Sequence, residues 1–370
     1  MARIRILVVD DSAVFRKILS DTMSEDSGIE VVGTASDGRI ALAKIQQLHP
    51  DLITLDIEMP VMNGLEALAE IRKLYPKLPV IMFSTLSDRG AAATLDALSL
   101  GASDYAAKPG NAGSLNLAIE VVRTEVIPKI KALCGGAATH LGLLPLPSPA
   151  PPIKRPANRR IEIVAIGSST GGPNALAHVL PLFPEDFPVP IVIVQHMPPV
   201  FTRLLADRLA DKSAIAVQEG TVGAILRSGQ AWIAPGNFHM TVNRAGISWR
   251  LDLNQDPAEN SCRPAVDVLF RSVAAACRGN VLAVVMTGMG SDGVLGAGII
   301  RAAGGEVFVQ DEASSVVWGM PGLVHAAGQA DAVCPLEQLA PGIIRRVMQG
   351  RAPLSVPPPR RLTPQDARTK

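Results

Sequence analysis

The chain has 370 residues, more than one hydrophobic core usually organises, and its 48% hydrophobic content is enough to build two. With 19% charged residues and a net charge of +1 it lacks the basic bias of a nucleic-acid polyelectrolyte, and no basic stretch interleaves with its 4% aromatic residues to stack single strands. Cys134, Cys262, Cys277 and Cys334 show no CxxC or Cys/His ligand spacing, so they read as free thiols in a reducing compartment and argue against structural zinc.

The start, MARIRILVVD, puts Asp10 and Asp11 directly after a short apolar run, unlike a signal peptide, and no later stretch holds about 18 apolar residues. A cytoplasmic protein with no membrane insertion is expected. From residue 4 to about 125, β-rich apolar runs alternate with helical periodicity: IRILVVD, VFRKILSDTM, VVGTA, RIALAKIQQL, DLITLD, GLEALAEIRKL, PVIMFST, ATLDALSL, SDYAAKP and SLNLAIEVVRTEVIPKI. Five strands alternating with five helices predict an α/β, doubly wound parallel sheet over residues 1–125. Clustered Gly, Pro and basic residues then predict a helix end and an extended linker over 126–159. A second alternation runs through IEIVAIG, PVPIVIVQH, QAWIAPG, NVLAVVMTG and GEVFVQD, and its doubly apolar strands suit a mainly parallel sheet covered on both faces, over 160–348. The Pro-rich, basic tail 349–370 is expected to be disordered.

In an open parallel sheet the functional crevice lies at the carboxyl ends of the strands. In the first domain those ends supply Asp10, Asp11, Asp56, Ser84 and Lys108. Acids at strand ends commonly cap helices. Three at one edge, joined by a hydroxyl and an ammonium, suit a hard divalent cation and a phosphoryl group instead. The segments VVDDSAVFRKIL, LDIEMPVMNGLE, FST and YAAKPG resemble the response-regulator receiver family, a flavodoxin-like (βα)5 fold. That resemblance implies phosphorylation of Asp56 by a sensor histidine kinase. It also implies Mg2+ held by Asp10, Asp11, Asp56 and the backbone carbonyl of Glu58, with Ser84 and Lys108 on the phosphoryl oxygens. Tyr105 falls at the family's switch position, and the Lys108–Pro109 bond is expected to be cis.

In the second domain, IEIVAIG runs into GSSTGGP, which holds a hydroxyl before a helix that Pro173 suits at its first turn. N–H groups there can stabilise an oxyanion, and Gly167-Ser168-Ser169-Thr170-Gly171 satisfies GxSxG with Ser169 central. His196 follows the next strand, and Asp292 lies in TGMGSDG after VLAVVM. A nucleophile, its base and an orienting acid thus leave the strand ends of one sheet, although His196 alone could be a core-edge histidine and Asp292 a helix cap. Their order, Ser then His then Asp, disfavours the α/β-hydrolase fold. Gly288, Gly290 and Gly293 also spell GxGxxG, with Asp311 after the following strand, but a dinucleotide site would place the Asp292 carboxylate inside the pyrophosphate loop. No helix-turn-helix or basic recognition face suggests a DNA-reading output.

The segments IGSSTGGP, QHMPPVFTRLLADRL, IAPGNFHM, CRPAVDVLF, TGMGSDGVLGA and QDEASSVVWGMP resemble the catalytic domain of the chemotaxis protein-glutamate methylesterases. The resemblance implies that Ser169 is the nucleophile, His196 the general base and Asp292 its orienting acid, with no cofactor for the esterase. Met289 would lend a backbone N–H to the oxyanion site, and Thr170 would lie at the site mouth. The implied substrates are glutamyl methyl esters, and also glutamines, of methyl-accepting chemoreceptors, with the unphosphorylated receiver restraining the esterase.

Overall fold

The computed structural model describes residues 3–85, 87–108, 115–135, 159–349 and 351. The expected linker, most of the tail and the Lys108–Pro109 bond lie outside the described residues.

The first sheet contains β1 (Ile4–Val9), β2 (Ile29–Ala35), β3 (Leu52–Asp56), β4 (Val80–Ser84) and β5 (Asp104–Ala107), in the order β2-β1-β3-β4-β5. Every pairing is parallel. Between the strands run α1 (Ala13–Ser24), α2 (Gly38–Leu48), α3 (Gly64–Leu74) and α4 (Asp88–Ser99). Each starts where a short polar side chain can satisfy an orphan N–H: Ser12, Asp37, Asn63 and Ser87 all accept from the first turn, and Asn63 forms a capping box with Glu66. The predicted last helix begins as α5 (Leu115–Val121) and continues through a π-helical turn, Val122–Val126, into α6 (Ile127–Cys134).

The second sheet holds seven strands in the order β14-β13-β12-β6-β7-β9-β8: β6 (Ile163–Ser168), β7 (Ile191–Gln195), β8 (Ala216–Glu219), β9 (Gln230–Ile233), β12 (Val281–Val285), β13 (Glu306–Gln310) and β14 (Ala332–Cys334). All its pairings are parallel too. The central β6, β7 and β12 are buried throughout, which is what apolar residues at successive positions require. Helices α7 (Gly172–Val179), α8 (Phe201–Lys212), α9 (Val266–Cys277), α10 (Val294–Ala302), α11 (Met320–Ala326) and α12 (Leu336–Met348) cover it. Sequence periodicity did not anticipate β8, β14 or the antiparallel hairpin β10 (His239–Ala245) and β11 (Ser248–Asn254), which packs on α9. No helix of the described residues is long and apolar enough to cross a membrane.

The two sheets do not merge, but their helical layers meet. Helix α4 packs against α7 and α8, and buried apolar side chains run continuously from one domain to the other. Tyr105 at the end of the first sheet stacks on Phe201 of α8, with ring centroids 5.0 Å apart and planes 10° from parallel. Four polar side chains of the second domain flank this stack. Thr170 Oγ1 donates to Asp104 Oδ2 at 2.7 Å, and Asn174 Nδ2 to the Leu98 carbonyl at 2.7 Å. Arg208 reaches the Ala92 carbonyl at 2.8 Å and Asp96 at 2.9 Å, and Arg203 reaches Asp88 at 2.7 Å.

Candidate active site and phosphoacceptor site

The acidic edge of the first sheet forms as expected. Asp10, Asp11 and Asp56 each offer a carboxylate oxygen within 4.8 Å of the others. Lys108 Nζ lies 2.7 Å from both Asp10 and Asp56. A cavity of about 200 Å3 opens onto Asp11, Asp56, Glu58, Ser84 and Lys108. Burial pushes the Asp56 carboxyl up to about 6, aided by the charges of Asp10 and Asp11 and opposed by Lys108. Burial opposes the Lys108 ammonium as well, yet the two acids outweigh it and raise its pKa. Among the described residues the buried Oδ2 atoms of Asp10 and Asp56 meet only the Lys108 ammonium, so this all-oxygen cluster keeps lone pairs for a hard divalent cation. Ser84 Oγ donates to the Gly90 carbonyl at 2.8 Å, so its hydroxyl must turn to reach a phosphoryl oxygen on Asp56.

In the second domain, β6 and β7 are neighbours in register, with Ser168 opposite Gln195. Ser169 and His196 therefore leave adjacent strands one residue further on, where strands lie about 4.8 Å apart. Ser168 Oγ is buried and donates to Gln195 Oε1 at 2.7 Å, and Gln195 Nε2 donates to the Ser169 carbonyl at 2.9 Å. Ser168 is thus tied into the scaffold. Ser169 Oγ makes no hydrogen bond among the described residues. Gly171, with φ +77°, turns the chain into α7, a conformation that glycine adopts without Cβ strain. A Cβ on Gly288 would stand 2.9 Å from Ser169 Cβ, so the glycine lets the β12 loop close on Ser169.

That loop delivers Asp292. Its Oδ2 lies 2.8 Å from His196 Nε2 and accepts from Val266 N at 2.6 Å. Its Oδ1 accepts from Asp267 N at 2.9 Å and from Asn260 Nδ2 at 3.1 Å. Burial alone would raise the Asp292 pKa, but His196 and these N–H donors hold it below the usual carboxylate range. Burial pulls the His196 pKa down, and the hydrogen bonds to Asp292 and Cys262 outweigh it and favour the imidazolium that forms when the ring takes a proton. Cys262 Sγ lies 3.5 Å from Nδ1, the ring nitrogen that Asp292 leaves open. The structure thus joins His196 to Asp292 directly, while the Ser169–His196 hydrogen bond is not made in this resting arrangement. Such contacts often tighten only when substrate binds. The N–H groups of Thr170 and Met289 make no hydrogen bond among the described residues, whereas Ser169 N is already bound to the Thr287 carbonyl. The GxGxxG stretch closes around Asp292, and Gly293 N binds the Asp267 carboxylate at 3.0 Å, which leaves the loop committed to carboxylates rather than a pyrophosphate.

Sequence reasoning passed over Asn260, Cys262, Gln195 and Asp267. The first two lie in a loop without periodicity, and the CRPAVDVLF segment was the one signal that pointed there. Thr170, next to Ser169, is buried against Asp104 of the first domain.

A model described as CheB methylesterase matches residues 164–343, and one described as response regulator receiver domain matches residues 6–120. A protein-glutamate methylesterase/protein-glutamine glutaminase of Trichodesmium erythraeum is 54% identical over 351 residues, covering 94% of this chain and 100% of that one. Its namesake from Nocardioides sp. is 51% identical over 360 residues, covering 96% of this chain and 98% of the relative. The solved catalytic domain of Thermotoga maritima CheB methylesterase is 41% identical, covers 50% of this chain and 97% of that chain, and superposes with a TM-score of 0.49. With relatives this similar matched over nearly their whole length, and both domain models falling in turn along the sequence, the chain belongs to the CheB methylesterases that carry a response regulator receiver domain.

Proposed function

We propose that the protein is a phosphorylation-regulated protein-glutamate methylesterase, and a protein-glutamine deamidase, acting on chemoreceptors in the cytoplasm with a receiver at 1–125 and a catalytic domain at 160–348. The observation that carries this reading is the part-buried His196–Asp292 pair, at 2.8 Å, beside the Ser169 hydroxyl, which makes no hydrogen bond among the described residues. Ser169 Oγ attacks the γ-carbonyl carbon of the ester while His196 takes its proton, and Asp292 stabilises the imidazolium. The N–H groups of Thr170 and Met289 receive the oxyanion, in the manner that makes such preorganised donors worth about 3–4 kcal/mol each. Collapse expels methanol, which takes the proton from His196 and leaves an acyl-Ser169. Water, deprotonated by His196, then hydrolyses it to glutamate. A glutamine side chain follows the same course with ammonia leaving.

In the receiver, Asp56 accepts the phosphoryl group from a sensor histidine kinase. Asp10, Asp11, Asp56 and the Glu58 carbonyl would hold Mg2+, which neutralises charge on the incoming phosphoryl group. Lys108 pairs with its oxygens, and Ser84 turns from Gly90 to donate to them. Tyr105, three residues before Lys108, acts as the switch residue and stacks on Phe201 of α8. The contact of Asp104 with Thr170, one residue from Ser169, supports steric restraint of the esterase by the docked receiver. A coupling of about 1–3 kcal/mol would give roughly 5- to 150-fold activation on phosphorylation. A fragment beginning near residue 155 should therefore hydrolyse receptor esters faster than the unphosphorylated full-length protein. Matching rates would mean that phosphorylation acts by recruitment rather than by release.

A further inference from the structure

The four cysteines are not equivalent. Burial pushes the thiols of Cys134 and Cys277 up to about 12 and raises that of Cys334, which keeps all three protonated and inert. Cys262 alone faces a candidate catalytic group, with Sγ 3.5 Å from His196 Nδ1. The loop that carries it is built for that placement. Glu259 and Cys262 exchange backbone hydrogen bonds of 3.1 and 2.8 Å, and Arg271 clamps the Glu259 carboxylate. Between them Asn260 and Ser261 take left-handed φ values of 52° and 61°, a strained turn for residues with a Cβ. Asn260 Nδ2 bonds Asp292 at 3.1 Å, so the same turn grips both ends of the His196–Asp292 pair.

The spacing has a chemical meaning. A tetrahedral zinc with Zn–S of about 2.3 Å and Zn–N of about 2.0–2.1 Å holds those two ligand atoms roughly 3.6 Å apart. The observed 3.5 Å needs almost no adjustment. Metal-bound histidines also bind a carboxylate through their other nitrogen, which fixes the tautomer and strengthens the ligand. Asp292 occupies that place on Nε2 at 2.8 Å. Both its oxygens are already used by Val266 N, Asp267 N and Asn260, so it stays in the outer shell. His196, Cys262 and Asp292 together present ligand atoms within 4.8 Å of one another.

We propose that Cys262 Sγ and His196 Nδ1 form a reversible binding site for one thiophilic divalent cation of the zinc class, and that its occupation silences the esterase. Binding converts the Cys262 thiol to a metal thiolate and displaces any proton on His196 Nδ1, both protons going to solvent, with no change of oxidation state. Water completes the coordination. With Nε2 held by Asp292, Nδ1 is the ring nitrogen left for Ser169, and a coordinated Nδ1 cannot accept the Ser169 proton. Two protein ligands rather than four make the site sensitive to chelators. The silencing rests on His196 being the base, whereas the binding does not.

The test uses the full-length protein, freed of metal and held in saturating Mg2+ so that the acidic receiver site is filled. Titration with Co2+ should produce a thiolate-to-cobalt charge-transfer band at one equivalent, displaced by Zn2+. Cys262→Ser should lose the band, Cys134→Ser should keep it, and His196→Gln should weaken cobalt binding at least tenfold. Saturating Zn2+ should lower methanol release by wild type more than tenfold, reversibly with chelator, while Cys262→Ser keeps most of its own metal-free rate. Absence of the band, or a band that persists in Cys262→Ser, would overturn the site. Equal zinc inhibition of Cys262→Ser and wild type would overturn the silencing. Because the band is read without substrate, a failed esterase assay with a normal band would count against the esterase reading alone.

Discussion

Arg208 offers the sharpest test of receiver docking, because it crosses the interface from the second half of α8 and its hydrogen bond and ion pair go to Ala92 and Asp96, not to Ser169, His196 or Asp292. Its guanidinium, roughly a third exposed at 31%, reaches the Ala92 carbonyl at 2.8 Å and Asp96 at 2.9 Å. Asp96 is 55% exposed, so solvent discounts that ion pair to about 0.2–1 kcal/mol. The hydrogen bond from a charged donor to the Ala92 carbonyl, which is part-buried, adds about 1.5 kcal/mol. Arg208→Ala should therefore weaken docking by about 2 kcal/mol, which raises the undocked fraction roughly 20- to 70-fold. The assay is methanol release from methyl-labelled receptor membranes by unphosphorylated protein. The basal rate should rise by that factor towards the phosphorylated rate, with little further gain on phosphorylation. The exchange Arg208→Asp with Asp96→Arg should restore part of the restraint. An unchanged basal rate in Arg208→Ala, together with normal activation by phosphodonor, would refute the docking argument.

Three further outcomes follow from the same geometry. Ser169→Ala should abolish ester hydrolysis with little loss of stability, whereas Ser168→Ala should retain substantial activity and lose about 1–3 kcal/mol, because Gln195 Oε1 loses its buried donor; thermal melts and rates on the two variants separate these effects. Asp292→Asn should lower kcat by as much as about 10^4-fold while leaving the receiver phosphorylatable, since an amide can hold the ring but not stabilise the imidazolium; a loss below tenfold would remove Asp292 from the mechanism. Asp56→Asn should block labelling by a small phosphodonor with Mg2+ and leave basal esterase activity intact, and undiminished labelling would move the phosphosite elsewhere.

Much of this was legible in the sequence because parallel topology brings every strand's carboxyl end to one edge. Asp10, Asp56 and Lys108 could be grouped from strand ends alone, and the structure puts Lys108 Nζ 2.7 Å from both acids. His196 and Asp292 were paired by the same logic and meet at 2.8 Å. The docking surface was not legible, because Tyr105, Phe201 and Thr170 look alike in sequence whether they face solvent, their own core or a second domain. Short strands such as β8 and β14 gave too few residues for a period, and the turn at Asn260 and Ser261 depends on left-handed backbone that neither residue type announces.

The central claim is that Ser169 hydrolyses receptor methyl esters under the control of Asp56. The most direct test measures methanol released from methyl-labelled receptor membranes by wild type, Ser169→Ala and Asp56→Asn, each with and without a small phosphodonor and Mg2+. The account predicts release by wild type that rises roughly 5- to 150-fold with phosphodonor. It predicts none from Ser169→Ala under either condition, and a basal rate from Asp56→Asn that the phosphodonor leaves unchanged. Methanol released at the wild-type rate by Ser169→Ala, or full activation of Asp56→Asn, would contradict it.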